Sequence, residues 1–165
     1  MLGSSLMANG SVPMTIEGKK LLDEELKQLI QVQRPTIIKA IEVARANGDL
    51  GENADYSAAK ERQSFIEGRI QELNAKMAMA QVIDPSSIKS DKIVFGATVT
   101  VADQDSGKEI TYKIVGQDEA DVKKNKISVN SPIASALIGK KSGDEVTVNA
   151  PKGNVLYDIV EIRYE

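Results

Sequence analysis

Residues 53–80 read NADYSAAKERQSFIEGRIQELNAKMAMA. Ala59, Gln63, Ile66, Ile70, Leu73, Met77 and Ala80 fall at alternating steps of four and three. That spacing draws one stripe down one face of a helix, with the period of a coiled-coil seam. Asn53 stands where an N-cap is needed. Upstream, Leu22, Leu26, Leu29, Ile30, Ile37, Ile41 and Ala44 also recur at helical spacing, starting from Thr15 as N-cap and stopping at Gly48. Pro35 interrupts this run. It predicts either a kink or two helices with Pro35 in the first turn of the second. Only Gly48 to Glu52 join the two long helical segments, and so short a connection forces an antiparallel hairpin. At 1.5 Å per residue each arm is roughly 40 Å long, so much of it is expected to project into solvent. Leu26, Ile30, Ile37, Ile41, Ile66, Ile70 and Leu73 are the expected buried seam.

The pattern changes at Asp84-Pro85. Beyond it the chain reads as short strands: Ala97–Val101, Ile110–Val115, Lys126–Val129, Glu145–Val148 and Val155–Tyr164. Asp105-Ser106-Gly107, Lys140 to Asp144 and Pro151-Lys152-Gly153 are turns. Ser131-Pro132 followed by Gly139 marks a short helix, with Ser at the cap and Pro at the first position. The fold class is therefore α+β: a helical coiled-coil hairpin over residues 13–83, then a domain over 84–165 with an antiparallel sheet and a short helix. Residues 1–12 read as a flexible leader.

Composition narrows the function. Of 165 residues, 41% are hydrophobic and 27% charged, ordinary values for a folded chain. A net charge of −3 rules out retention on nucleic acid by general basicity; any such contact must be local. With no Cys and no His, thiolate nucleophiles, disulfides, histidine metal sites and Ser-His triads are excluded together. No apolar run reaches the roughly 18 residues of a membrane span, and the first residues lack the marks of a signal peptide. A cytoplasmic protein with no membrane partner is expected.

The chemistry concentrates between the two helices, at Gly48-Asp49-Leu50-Gly51-Glu52-Asn53-Ala54-Asp55-Tyr56. Three carboxylates fall within seven residues. One reading is that they favour the start of the second helix. The other is a ligand set for a hard cation. So few carboxylates cannot fill the six positions of Mg²⁺, but they can complete a site that a partner already supplies. Spacing alone leaves both readings open.

The stretch Ala44 to Gln63, ARANGDLGENADYSAAKERQ, resembles the tip signature of the bacterial transcript cleavage factors, the Gre family. Pro13-Met14-Thr15 with Gly18 and Glu25-Leu26 is similar to that family's start, and Arg34-Pro35 to its first helix. Phe95-Gly96-Ala97-Thr98-Val99 and Ile127 to Ala134 are similar to its C-terminal domain. The resemblance runs from Pro13 onward.

That resemblance implies a coiled coil that enters the secondary channel of bacterial RNA polymerase and an FKBP-like C-terminal domain that docks at the channel rim. It implies that Asp49 and Glu52 help hold the second Mg²⁺ of the polymerase active site, a metal shared only in the complex. The polymerase's own cleavage of the 3′ segment of backtracked RNA is thereby stimulated. The chain itself is then no enzyme, binds no cofactor alone and acts as a monomer. Asp55 matches a third, secondary acidic position and Tyr56 an aromatic beside the tip. Arg45 and Lys60, with Arg62 added, match a basic patch facing the RNA; ion pairing within the helices is the plainer reading of these three. Gly51 departs from the family at a position that is often basic, which weakens the local positive field. A prolyl isomerase would need a deep aromatic pocket, and the chain has no Trp and two Phe. Ile133, Ala134 and Leu137 are either a docking surface or core. The alternatives in function are a channel antagonist that does not promote cleavage and a coiled-coil adaptor or chaperone.

Overall fold

A computed structural model describes residues 10–48 and 52–165. The chain forms two compact units, one of residues 20–79 and one of Ala80–Glu165 together with the chain up to Lys19. No helix among the described residues is long and apolar enough to cross a membrane.

In the helical unit, α1 (Ile16–Gln28) passes through one π-helical turn (Leu29–Gln33) into α2 (Arg34–Ala46), and α3 (Ala54–Ala78) returns alongside. Pro35 lies in the first turn of α2, as one of the two expected arrangements has it. Proline has no N–H to give, and its ring clashes with the carbonyl four residues back. The turn ahead of it is widened instead of broken. The Arg34 N–H bonds the Leu29 carbonyl five residues back, and Thr36 Oγ1 donates to the Val32 carbonyl at 2.7 Å.

This turn sets the phase of the seam. Leu29 and Ile41 are twelve residues apart. In an unbroken α-helix, at about 100° per residue, they would point about 120° apart. One residue absorbed by the wider turn reduces that to about 20°. Leu22, Leu29, Ile41 and Ala44 are accordingly buried on the first arm, as Ala59, Ile66, Ile70 and Leu73 are on α3. The expected seam needs correction here. Ile30 is 38% exposed, and Leu26 and Ile37 are only half-buried. Leu22 and Leu29, seven residues apart, take the centre of the face and leave Ile30 about 100° round the helix. Ala80, the last member of the α3 stripe, lies beyond the helix in a strand.

Two bidentate ion pairs flank the seam. Arg34 donates Nε and Nη2 to the Glu67 carboxylate, both at 2.8 Å. Arg69 donates Nε at 2.6 Å and Nη2 at 2.8 Å to Glu25, and its Nη1 reaches Glu72. Fork-to-fork geometry fixes register as well as adding energy. The hydrogen bonds from Arg69 and Arg34 hold the Glu25 and Glu67 carboxyls below the usual carboxylate range.

The second unit opens with β1 (Val12–Thr15), paired in parallel with β2 (Ala80–Ile83), so that Val12 meets Ala80 and Thr15 meets Ile83. Neither strand is expected from the residue pattern, since four residues with a proline among them carry no usable alternation. A carboxylate holds this start in place. Glu119 accepts from the Thr15 N–H at 2.9 Å, from the Thr15 hydroxyl and from the Gly116 N–H at 3.1 Å. Thr15 Oγ1 in turn accepts from the Gly18 N–H at 3.1 Å, which makes it the helix cap. A side chain at Gly18 would collide with that carboxyl, and one at Gly116 would come 2.6 Å from the Pro13 carbonyl.

The main sheet has the order β5-β4-β3-β7-β6, formed by β3 (Thr98–Asp103), β4 (Glu109–Val115), β5 (Lys126–Ser128), β6 (Glu145–Ala150) and β7 (Gly153–Arg163). Its pairs are antiparallel, as expected, except β4 with β5, which is parallel. One face packs Val99, Val101, Ile114, Val146 and Ile159 with Ile93 and Phe95. Helix α4 (Pro132–Leu137), capped by Ser131 Oγ, adds Ala134 and Leu137 to that core. Both are fully buried, which removes them from any docking surface.

Leu73→Ala is expected to lower unfolding free energy by about 2–5 kcal/mol. Ile30→Ala, at the position the structure turns outward, should change it by about 1 kcal/mol or less; urea titration of helical circular dichroism separates the two. Because the folded-state pKa values of Glu25 and Glu67 are depressed, their contribution is full above the ordinary value of 4.5 and fades as pH falls through the lower folded values. The double variant Glu25→Gln with Glu67→Gln should therefore lose stability relative to wild type at pH 7 and converge with it in acid.

Candidate functional site

The hairpin turn is built by one side chain. Helix α3 begins with unpaired N–H groups and α2 ends with unpaired carbonyls. Asn53 Oδ1 accepts from the Tyr56 N–H at 3.0 Å, and Asn53 Nδ2 donates to the Ala44 carbonyl at 2.7 Å. One amide thus caps the second helix and ties it to the end of the first. The residue pattern predicts Asn53 as a cap alone. The missed signal is its type: among the common capping residues an amide both accepts and donates, while Asp can only accept. Ala44 and Ala59 are both buried near this turn, and their small size lets the helices close there. Gly48, just past α2, has φ +124, a left-handed conformation that a side chain resists.

Asp49, with Leu50 and Gly51, lies outside the described residues. Glu52 and Asp55 are exposed, and with Asn47, Asn53 and Ala54 they line one shallow depression at the turn. The structure thus brings two of the three predicted carboxylates to one surface. Asp55 sits in the first turn of α3, where the positive end of the helix favours it. No group of three acidic side chains among the described residues converges on a metal position. Two carboxylates leave most of an octahedral shell to other donors. Tyr56, in the first turn of α3, is half-buried.

The three predicted basic residues separate. Arg45, in the last turn of α2, is exposed and makes no ion pair among the described residues. Lys60 is exposed and donates to Gln63 at 3.1 Å. Arg62 lies about 12 Å along α3 from Ala54. It reaches across the hairpin to Gln33 at 3.0 Å and stands 5.0 Å from the centre of the Phe65 ring, within cation–π range. Arg45 and Lys60 stay near the turn and Arg62 is engaged further up.

Two family models cover the chain. Residues 12–82 match the N-terminal domain of transcription elongation factors, and residues 88–164 the C-terminal domain of the GreA and GreB elongation factors. Among curated relatives, the transcription elongation factor GreA of Alkalilimnicola ehrlichii is 60% identical over 154 residues, covering 93% of this chain and 98% of the relative. GreA of Hyphomonas neptunium is also 60% identical, with the same coverage. GreA of Neisseria meningitidis is 56% identical, again over 93% of this chain. A solved GreA/GreB elongation factor from Nitrosomonas europaea is 25% identical over 92% of this chain and 98% of its own, with a TM-score of 0.42.

Asn53→Ala removes both bonds at the turn and is expected to cost about 1–2 kcal/mol. Asn53→Asp keeps the capping oxygen and loses the donor. Amide exchange at Tyr56 should therefore speed up in the alanine variant and stay slow in the aspartate variant, while the end of α2 loosens in both.

Proposed function

The chain belongs to the GreA/GreB family of transcription elongation factors, and from that membership we propose that it works inside RNA polymerase as a transcript cleavage factor. The hairpin enters the secondary channel of the bacterial enzyme turn first, and the sheet unit docks at the rim. Asp49 and Glu52 offer carboxylate oxygens to the second Mg²⁺ of the polymerase active site, with Asp55 in a lesser role. When bound, that ion activates the attacking water or stabilises the leaving oxygen. The polymerase then hydrolyses the 3′ segment of its own backtracked RNA and restarts from the new end. The chain contributes ligands and position but no reaction of its own, and acts as a monomer in the cytoplasm.

The observation that carries this reading is the contrast in how carboxylates are used. Along the seam Glu25 and Glu67 are held by arginine forks. At the turn Glu52 and Asp55 are exposed and have no ion pair among the described residues. A carboxylate committed to an internal arginine is a poor ligand, and one left facing solvent is available to a hard cation. Asn53 supports the same reading, because it braces the turn that carries these groups and limits the ordering that binding must impose. Arg45 and Lys60 supply local positive charge toward the RNA, with Tyr56 as an aromatic beside the tip.

Asp49→Asn combined with Glu52→Gln keeps shape and removes both charges. This double variant should fold, bind polymerase and compete with wild type, yet fail to stimulate cleavage in arrested elongation complexes. Raised Mg²⁺ should restore part of the rate by mass action, and Asp55→Asn should be milder. Cleavage at the wild-type rate by the folded double variant overturns the mechanism. Wild-type protein that occupies polymerase without cleavage would make the chain an antagonist.

A further inference from the structure

The sheet unit carries a second charged feature that the proposed mechanism does not use. Residues 89–93 and 139–142 run side by side, joined where Lys92 and Lys141 form an isolated antiparallel bridge. The Ile93 N–H bonds the Lys140 carbonyl at 2.8 Å, and the Gly139 N–H bonds the Ile93 carbonyl at 2.8 Å. The bond from Ile93 to Lys140 makes Lys92 and Lys141 a pair opposed without hydrogen bonds between them, the kind whose side chains stand closest. Like charges directly opposed across strands are destabilising. Lys140 immediately precedes Lys141, Lys89 lies three residues before Lys92, and all four are exposed. Lys141 Nζ has Asp91 at 3.4 Å, and the Lys141 N–H bonds Asp144 at 2.8 Å. Lys89, Lys92 and Lys140 make no ion pair among the described residues.

This corner is stiff. The Lys92 carbonyl accepts from the Tyr164 hydroxyl and, at 3.1 Å, from Ser90 Oγ. The Tyr164 hydroxyl accepts from the Val94 N–H at 3.0 Å. Ser142 Oγ donates to the Val160 carbonyl at 3.1 Å. The lysines therefore hang from fixed backbone, in a chain whose net charge is −3.

We propose that Lys89, Lys92, Lys140 and Lys141 form a contact site for the phosphate backbone of nucleic acid, separate from the hairpin turn. The chemistry selects this partner over a protein. Exposed positions in the patch are Lys, Ser, Asp and Gly, the one aromatic at this corner, Tyr164, is half-buried with its hydroxyl engaged, and lysine is depleted in the cores of protein–protein interfaces. Compact ammonium groups without base-reading neighbours suit phosphate oxygens and give contact without sequence preference. A polyanion also offsets the part of the Lys92–Lys141 repulsion that Asp91, 3.4 Å from Lys141 Nζ, leaves uncompensated.

The test titrates full-length protein into fluorescently labelled 20-nucleotide single-stranded RNA and, separately, 20-base-pair duplex DNA, across 50 to 200 mM salt. The Lys92→Gln, Lys140→Gln, Lys141→Gln variant is compared with a Lys123→Gln, Lys124→Gln, Lys108→Gln control that removes equal charge elsewhere. Wild type and control should bind with affinity falling steeply in salt. The patch variant should show a salt slope shallower by about 2–3 on duplex DNA, from −0.9 per phosphate, or about 1.5–2 on single strands, from −0.7. The arm with the larger loss identifies which nucleic acid the site holds. Lys92→Gln alone should also raise the melting temperature at low salt and not at high salt, showing that the variant folds and that the repulsion is real. No binding at 50 mM salt, equal losses in patch variant and control, or equal wild-type affinity for a polyglutamate peptide each overturns the proposal.

Discussion

The helical hairpin depends on one constraint of phase. A seam exists only if apolar residues of α1 and α2 share a face from Leu22 to Ala44, and the spacing between Leu29 and Ile41 does not allow it in a uniform α-helix. The π-helical turn removes the mismatch by taking in one extra residue. Pro35 sets where this happens, because the turn before a proline is already short of one donor and crowded by the ring. Without the adjustment, Ile41 and Ala44 would swing about 100° off the face that meets α3. The half of the hairpin nearest the turn would then lose its packing. The arginine forks at Arg34–Glu67 and Arg69–Glu25 stand on either side of this turn and fix α3 against both segments.

The sequence shows α3 well and the first arm less well, for one reason. The α3 stripe is uninterrupted, so periodicity alone identifies Ala59, Ile66, Ile70 and Leu73 as seam. In the first arm, constant periodicity carried across Pro35 brings in Ile30, which the structure turns outward, and undervalues Leu29. A proline in a helical pattern signals an adjustment without saying whether the chain will kink, break or widen. Other features are invisible to pattern because they rest on distant partners. Strands β1 and β2 are four residues each and meet only through their mutual pairing. The Glu119 carboxylate that holds Thr15 is 104 residues away from it. The alternation of the sheet strands, the Ser131-Pro132 helix start and the tight turns are local, and they were legible. At the site, Glu52 and Asp55 could be read as an exposed acidic group, but the span of Asn53 to the Ala44 carbonyl could not. It needs the hairpin closed before the two ends come within reach.

Stability and proposed function use the same residue types in opposite ways. Along the seam, charge is paired, partly shielded and directed across the hairpin, which favours one register. At the turn, Glu52 and Asp55 are exposed and make no ion pair among the described residues, so the folded state gains little from their charge and a partner can use it. The bracing there comes instead from a neutral amide and two small buried residues. Substituting the acidic side chains therefore leaves the scaffold intact, since neither the seam nor the Asn53 bonds pass through them.

A ligand offered to another molecule's metal has to remain a weak ligand on its own. Were three carboxylates of this chain to converge, they would bind a cation in solution and arrive already occupied. The described residues place only Glu52 and Asp55 on the depression at the turn, and one of them also serves the N-terminus of α3. Two carboxylates leave most of an octahedral shell to other donors, and where those donors are already fixed they raise the occupancy of the site. Under the proposed reading, the short acidic turn thereby adds affinity for the ion only inside the partner. Its separation from the packed seam lets that property be adjusted one side chain at a time.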